Sequence, residues 1–206
     1  MTSLSRNTKY LWSLLPGILT WIGNAWGGHW AVTNVVFSLL ILPLLEWIVP
    51  EDKDNRSEDQ AVLPDIVLAM HVLLQLVCLS TLYLSVRNGT LQGAALLTAA
   101  LSTGIHSGTS AIVVAHELIH RPSKAWQFMG RLLLFTAGNI YFFVEHLKVH
   151  HKWVGTPRDP ATARRGENVY GFFIRSMAGQ IAGAWRLESE RMKNEGRSRF
   201  SWHHGL

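Results

Sequence analysis

The sequence predicts an all-α protein, an integral membrane helical bundle carrying histidine boxes at its cytoplasmic face. Three patterns in the 206 residues lead there: apolar residues gathered in long blocks, basic residues gathered after them, and two histidine clusters at the junction. From Tyr10 to Pro50 the only charged side chain is Glu46, and between Asp65 and Ala115 the only one is Arg87. A helix rises 1.5 Å per residue and needs roughly 20 apolar residues to cross the hydrocarbon, so each block has room for two spans. Four spans are expected, near Leu11–Gly28, Trp30–Val49, Ile66–Val86 and Thr90–Ala115. Gly27-Gly28-His29 and Arg87-Asn88-Gly89 supply the reversals. The first block is of full length, carries Trp12, Trp21 and Trp26, and lacks a small-residue cleavage pattern. It therefore reads as a retained span with interfacial tryptophans rather than a leader.

Of 19 Lys and Arg, 14 lie at or beyond Arg121. The positive-inside rule then puts everything after the fourth span in the cytoplasm, together with the N-terminus and the loop Glu51–Pro64. The net charge of +5 is a topological signal, and no recognition module accompanies it, so nucleic acid is not an expected partner. Cys78, the single cysteine, lies mid-span, which excludes an internal disulfide and a thiolate-held iron cluster.

After the spans comes a histidine-box region, 116–160. The apolar run Phe128–Val144 is expected to lie at the interface, to re-enter, or to pack within the bundle. Were it to cross, it would put the two histidine clusters on opposite sides. Over 164–199, Tyr170, Phe173, Ile174, Met177, Ile181, Ala184 and Trp185 recur at helical spacing among basic residues, the pattern of an amphipathic surface helix or of a helix packed on the domain.

The chemistry sits in His116-Glu117-Leu118-Ile119-His120 and in Glu145-His146-Leu147-Lys148-Val149-His150-His151. The i, i+4 spacing of His116 with His120, and of His146 with His150, puts each pair of imidazoles on one helix face, in reach of one metal ion. His151 is turned about 100° from His150 on a regular helix, so either the helix breaks or His151 serves a second metal. Imidazoles suit iron, zinc, copper and nickel alike. Glu117 and Glu145 are candidates to orient a ligand, to ligate, or to move a proton, with orientation the first choice. His106 is 10 and 14 residues before the first-box histidines, too far along one helix to share their metal.

Through His116–Arg121, Glu145–His151, Gly155–Ala161 and Gly166–Tyr170, with Pro43-Leu44-Leu45-Glu46 leading into a charged loop, the chain resembles the membrane-bound alkane hydroxylase and xylene monooxygenase branch of the fatty acid desaturase-like superfamily. The resemblance covers most of residues 1–206. It implies two non-haem iron ions held by His116, His120, His146, His150 and His151, with Glu117 and Glu145 as catalytic candidates. It further implies dioxygen, a lipophilic hydrocarbon substrate, and electrons from rubredoxin or a ferredoxin-type donor and its reductase. The bacterial inner membrane is the implied location, with the site facing the cytoplasm. Asp159 matches a polar family position expected to turn the chain before Pro160. Val149 stands where alkane hydroxylases carry glycine. The third histidine box of the family is absent and His203-His204 do not reproduce it, so the chain is expected to be an N-terminal fragment ending in a free tail. A lipid desaturase on the same scaffold, a membrane-embedded zinc metalloprotease with Glu117 as general base, and a metal-binding or structural membrane protein are the competing readings.

Overall fold

A computed structural model describes residues 8–50 and 62–200, and among them every regular element is helical. Most of the charged loop after the second apolar block, and His203 and His204, lie outside the described residues. The chain divides into two compact units, Met1–Ala137 and Gly138–Leu206.

The first unit is a membrane-type bundle. Thr8–Leu14 forms a 3₁₀ segment that runs into α1 (Leu15–Trp26), where Pro16 stands in the first turn and its missing N–H leaves no bond unmade. Gly27, at φ 64°, reverses the chain. Three further helices are long and apolar enough to cross a membrane: α2 (Gly28–Ile48), α3 (Val62–Arg87) and α4 (Gly93–His120). They correspond to the second, third and fourth expected spans. The first expected span falls on a continuous helical run, the 3₁₀ segment followed by the 12-residue α1. In α2 the turn Phe37–Ile41 is π-helical and lies just before Pro43, whose lack of an N–H removes the bond that the Leu39 carbonyl would receive in a regular helix.

Large apolar side chains point outward, as a lipid-facing surface requires; Leu73 is 63% exposed and Leu97 73%. Polar side chains in the interior bond from one helix to another. The Asn24 amide donates to the Cys78 carbonyl at 3.0 Å and to Thr103 Oγ1 at 3.1 Å, and Asn34 donates to the Ser102 carbonyl at 3.0 Å. His71 lies between the hydroxyls of Ser13 and Ser110, at 2.9 and 2.8 Å. Such bonds tie helices together where lipid tails offer no hydrophobic drive for association.

After His120, Pro122 stops α4, and α5 (Lys124–Thr136) folds back along it. The two helices meet at Gly130, where a Cβ would stand 2.8 Å from Ile119 Cγ2 and 3.0 Å from the Ala115 carbonyl oxygen. Leu118, Ile119, Leu133 and Leu134 are all buried behind the first histidine box.

In the second unit Gly138, at φ 69°, breaks the apolar run that began at Phe128, so no single helix spans it. The helical run 142–153, here α6, carries the second box. A turn-rich loop leads to α7 (Val169–Asn194), whose first N–H groups are capped by Asn168 Oδ1 accepting from the Gly171 amide at 2.9 Å. On α7 the carboxylate of buried Glu188 receives Lys148 Nζ at 3.1 Å and Arg191 at 2.8 Å, so the one acidic group on the covered side is neutralised from α6 and from its own helix.

Gly130→Leu is expected to lower stability by about 1–3 kcal/mol through overpacking at the α4–α5 contact. Gly183→Ala, where an added Cβ meets nothing within 4 Å, is expected to be neutral or stabilising. Thermal unfolding of the detergent-solubilised protein checks both, and equal midpoints for the two variants would refute the close contact.

Candidate metal centre

The first box is the last turn of α4. His116 and His120 are exposed, their ring centroids 4.8 Å apart and their planes at 67°, while Leu118 and Ile119 between them face the interior. One helix face thus offers two imidazoles and the opposite face is locked by packing. Glu117 is drawn elsewhere. Its carboxylate receives Arg121 Nε at 3.1 Å, and Arg121 Nη1 reaches Asp65 Oδ1 at 2.8 Å, so this ion-pair chain ties the end of α4 to the start of α3.

The second box departs from regular helix, and that departure brings its histidines together. His146–His150 is a π turn, in which the backbone N–H of His151 donates to the carbonyl of His146. The wider turn places residue i+5 near residue i, where a regular helix places i+4. The Nε2 atoms of His146 and His151 accordingly stand 3.0 Å apart, with ring centroids at 4.5 Å. His150 stacks on His146 at 5.2 Å, and Phe142 stacks on the other side of His146 at 4.6 Å. The helix neither breaks nor sends His151 away; it widens by one residue.

Behind this trio stands a carboxylate that the sequence presents only as a turn former. Asp159 is buried, and its Oδ2 lies 2.8 Å from His150 Nδ1. The same side chain accepts from the Ala161 amide at 2.9 Å and from Thr162 Oγ1 at 2.6 Å. Though burial pushes the other way, the donors from Thr162, Ala161 and His150 hold its carboxyl below the usual range. A carboxylate on Nδ1 fixes the ring and directs Nε2 away from it, the arrangement that supports a metal-ligating imidazole. In the sequence, the match of Asp159 to a polar family position and the Asp-Pro pair mark the residue but not this contact.

Glu145 is fully buried, and neither carboxylate oxygen has a hydrogen-bond partner. Burial first, and the charge of Asp159 second, push its carboxyl up to about 7, against the pull of His150. A buried, unpaired carboxyl group beside a histidine cluster is costly unless it holds a proton or faces a cation. The paired Nε2 atoms of His146 and His151, with the carboxylate-backed imidazole of His150 stacked on His146, are donors of a kind that suits a divalent first-row metal, iron included.

The loop holding Asp159 is clamped from α7. Arg175 grips Glu167 with two bonds, at 2.6 and 2.7 Å, and donates to the carbonyls of Pro160 at 3.1 Å and Thr162 at 3.0 Å. Gly179 allows the approach, since a Cβ there would meet Pro160 Cβ at 2.7 Å. The Arg175 bonds hold the Glu167 carboxyl down at about 2.

Residues 91–204 match the fatty acid desaturase family. The chain is 32% identical to an alkane 1-monooxygenase of Pseudomonas putida and 34% identical to one of Ectopseudomonas oleovorans, in each case over 94% of this chain and 51% of the relative. It is 28% identical to the hydroxylase component of a xylene/toluene monooxygenase of Pseudomonas putida, over 86% of this chain and 48% of the relative. The chain thus spans about half the length of these relatives.

Asp159→Ala is expected to weaken metal binding by about 10–100-fold while leaving the helical content intact. Titration of the metal-free protein with iron(II), followed by circular dichroism, reads both quantities, and an unchanged affinity would remove Asp159 from the site. For Glu167 the folded group titrates below its unfolded value of 4.5, so its contribution is present above that value and lost as pH falls towards about 2. Pepsin should therefore cut the 156–167 loop faster at the acid end of this window in the native protein. In Glu167→Gln the loop should be cut readily throughout, without that dependence.

Proposed function

The chain belongs to the fatty acid desaturase family, on its alkane hydroxylase branch, and from that footing we propose that it serves a membrane-bound di-iron monooxygenase that hydroxylates a hydrocarbon such as an alkane or an alkyl side chain. The observation that carries the reading is the second box: three imidazoles gathered by one π turn, one of them backed by a buried carboxylate. In this reading His116, His120, His146, His150 and His151 hold the metal. When bound, iron supplies activation of dioxygen and oxidation of an unactivated C–H bond.

The protein's own residues do the positioning. Asp159, accepting from Nδ1, keeps His150 in the tautomer whose Nε2 donates its lone pair. Glu145, titrating near neutrality in a buried setting, is suited to hold or release a proton beside the box. Glu117, engaged by Arg121, acts on His116 and His120 by fixing the end of α4. That engagement also weighs against a zinc protease, which needs Glu117 as a general base facing the metal. Three apolar helices make this a membrane protein, and they suit a lipophilic substrate that arrives through the bilayer. The basic residues after α4 favour a bacterial inner-membrane site facing the cytoplasm, within reach of rubredoxin or a ferredoxin-type donor. Each turnover would consume one hydrocarbon, one dioxygen, two electrons from the donor and two protons, and return one alcohol and one water. The family match keeps one second reading in play, desaturation, which shares the metal chemistry and differs in how the substrate lies.

The test is metal analysis with Mössbauer spectroscopy on the full-length protein purified in detergent, followed by product analysis with an alkane, a reductant and dioxygen. Two irons per chain and an alcohol product are expected, with His151→Ala losing most of the iron. Stoichiometric zinc would overturn the reading, and an alkene in place of an alcohol would convert it to desaturation.

A further inference from the structure

The last turns of α7, in the second unit, border a pocket of about 680 Å³ lined by four cations, Arg186, Lys193, Arg197 and Arg199, and by one carboxylate, Glu190. All four cations are exposed, and among the described residues Arg186, Lys193 and Arg199 form no ion pair. Arg197 shares Glu195 with Arg191, at 3.3 and 2.7 Å. The C-terminal end of a helix offers roughly half a negative charge, too little to offset them. Ser189 lines the same pocket, and its buried hydroxyl has no hydrogen-bond partner among the described residues. An unpaired buried hydroxyl is costly and clustered cations repel one another, so a group with several anionic oxygens relieves both.

What lies beside the pocket selects the kind of anion. Along α7, Tyr170, Phe173, Ile174, Met177, Ile181 and Trp185 recur on one face and all are exposed, Tyr170 by 80% and Ile174 by 70%. Trp185 stands about 40° round the helix from Ile181, so it ends this apolar stripe, and it also lines the pocket. Ser189, Lys193 and Arg186 follow at about 80°, 120° and 140°. The pocket therefore flanks the stripe. An interfacial helix has this cross-section: its apolar side chains enter the acyl boundary, and Lys and Arg on its flank reach up to the headgroup phosphates. Trp185 and Phe200, both exposed with ring centroids 6.3 Å apart, supply aromatic rings of the kind that settle at headgroup level. An inorganic anion would answer the cations and leave the stripe in water, whereas a phospholipid answers both. Three helices of the same chain are apolar enough to cross a membrane, so a bilayer is at hand.

We infer that α7 lies on the bilayer surface along this stripe and that the pocket at its end takes the phosphate of an anionic phospholipid, whose acyl chains lie beside the stripe. The inference goes beyond the monooxygenase reading and does not depend on it, since none of these residues is a candidate metal ligand. It makes the second unit a reader of membrane charge: near an anionic surface each Lys or Arg contributes about 1 kcal/mol, and a helix carrying several of them seats more firmly as the anionic lipid content rises.

The experiment uses the full-length protein, stripped of lipid in a neutral detergent and titrated with phosphatidylglycerol or phosphatidylcholine, with bound lipid read by native mass spectrometry. Phosphatidylglycerol is expected to bind the more tightly, and K193Q/R199Q to weaken it at least about fivefold while leaving phosphatidylcholine unchanged. R158Q/R165Q, which removes two exposed cations elsewhere in the second unit, should bind as the native protein does. Equal binding by all variants overturns the proposal, as does an equal loss in R158Q/R165Q, which would mean diffuse attraction. Glycerol 1-phosphate, the headgroup without its chains, should compete poorly; competition as strong as that of the whole lipid would make this a site for a soluble phosphate and overturn the seat on the stripe. A spin label on Phe173→Cys in nanodiscs containing phosphatidylglycerol reads the stripe itself. Collision with oxygen and not with a water-soluble nickel chelate is expected. Collision with the chelate, or with neither because other parts of the chain cover the stripe, overturns the proposal.

Discussion

A single backbone hydrogen bond, from the N–H of His151 to the carbonyl of His146, sets the geometry on which the candidate centre depends. In a regular helix that carbonyl would take the N–H of His150, and His151 would project about 100° away from the pair formed by His146 and His150. With the bond moved one residue on, all three rings crowd one side, and two Nε2 atoms come within 3.0 Å. The remaining features of the second unit serve that arrangement. Phe142 packs on His146, Asp159 holds His150, and Arg175 holds the loop that carries Asp159.

The first unit meets a different constraint with similar means. A helix in hydrocarbon gains nothing by burying apolar surface against another apolar helix, so contact must come from close approach and from internal polar bonds. Asn24, Asn34, His71 and Gln75 supply the bonds, and Gly130 supplies the approach that seats α5 behind the first box. The exposed faces of α2, α3 and α4 are correspondingly apolar.

Much of this was legible in the residues. Long uncharged blocks marked the helices because few other structures tolerate them, and the i, i+4 histidine spacing marked the box at the end of α4 because the helix there is regular. The π turn was not legible. No glycine or proline interrupts 142–153, and widening by one residue is decided by what packs on the rings. Asp159 was read as a turn former, which it is, but its contact with His150 depends on a chain reversal that local pattern does not encode. Glu117 belongs to the same class, since its partner Arg121 is a local i+4 pair while Asp65 lies on another helix. The first apolar block shows the opposite failure: its length was read correctly and its division into a 3₁₀ segment and a short helix was not.

The widened turn has a consequence for how such a site changes over time. A π turn holds one more residue than the helical turn it replaces, so the number of residues between Glu145 and Trp153 bears on the placing of the imidazoles as much as their identities do. Deleting one of residues 147–149 would let the turn relax to a regular one, with the present His151 still beside His146, now at i+4, and the present His150 moved to i+3. A change of length here is absorbed within the turn: the two rings at its ends keep their contact, and the ring between them changes place.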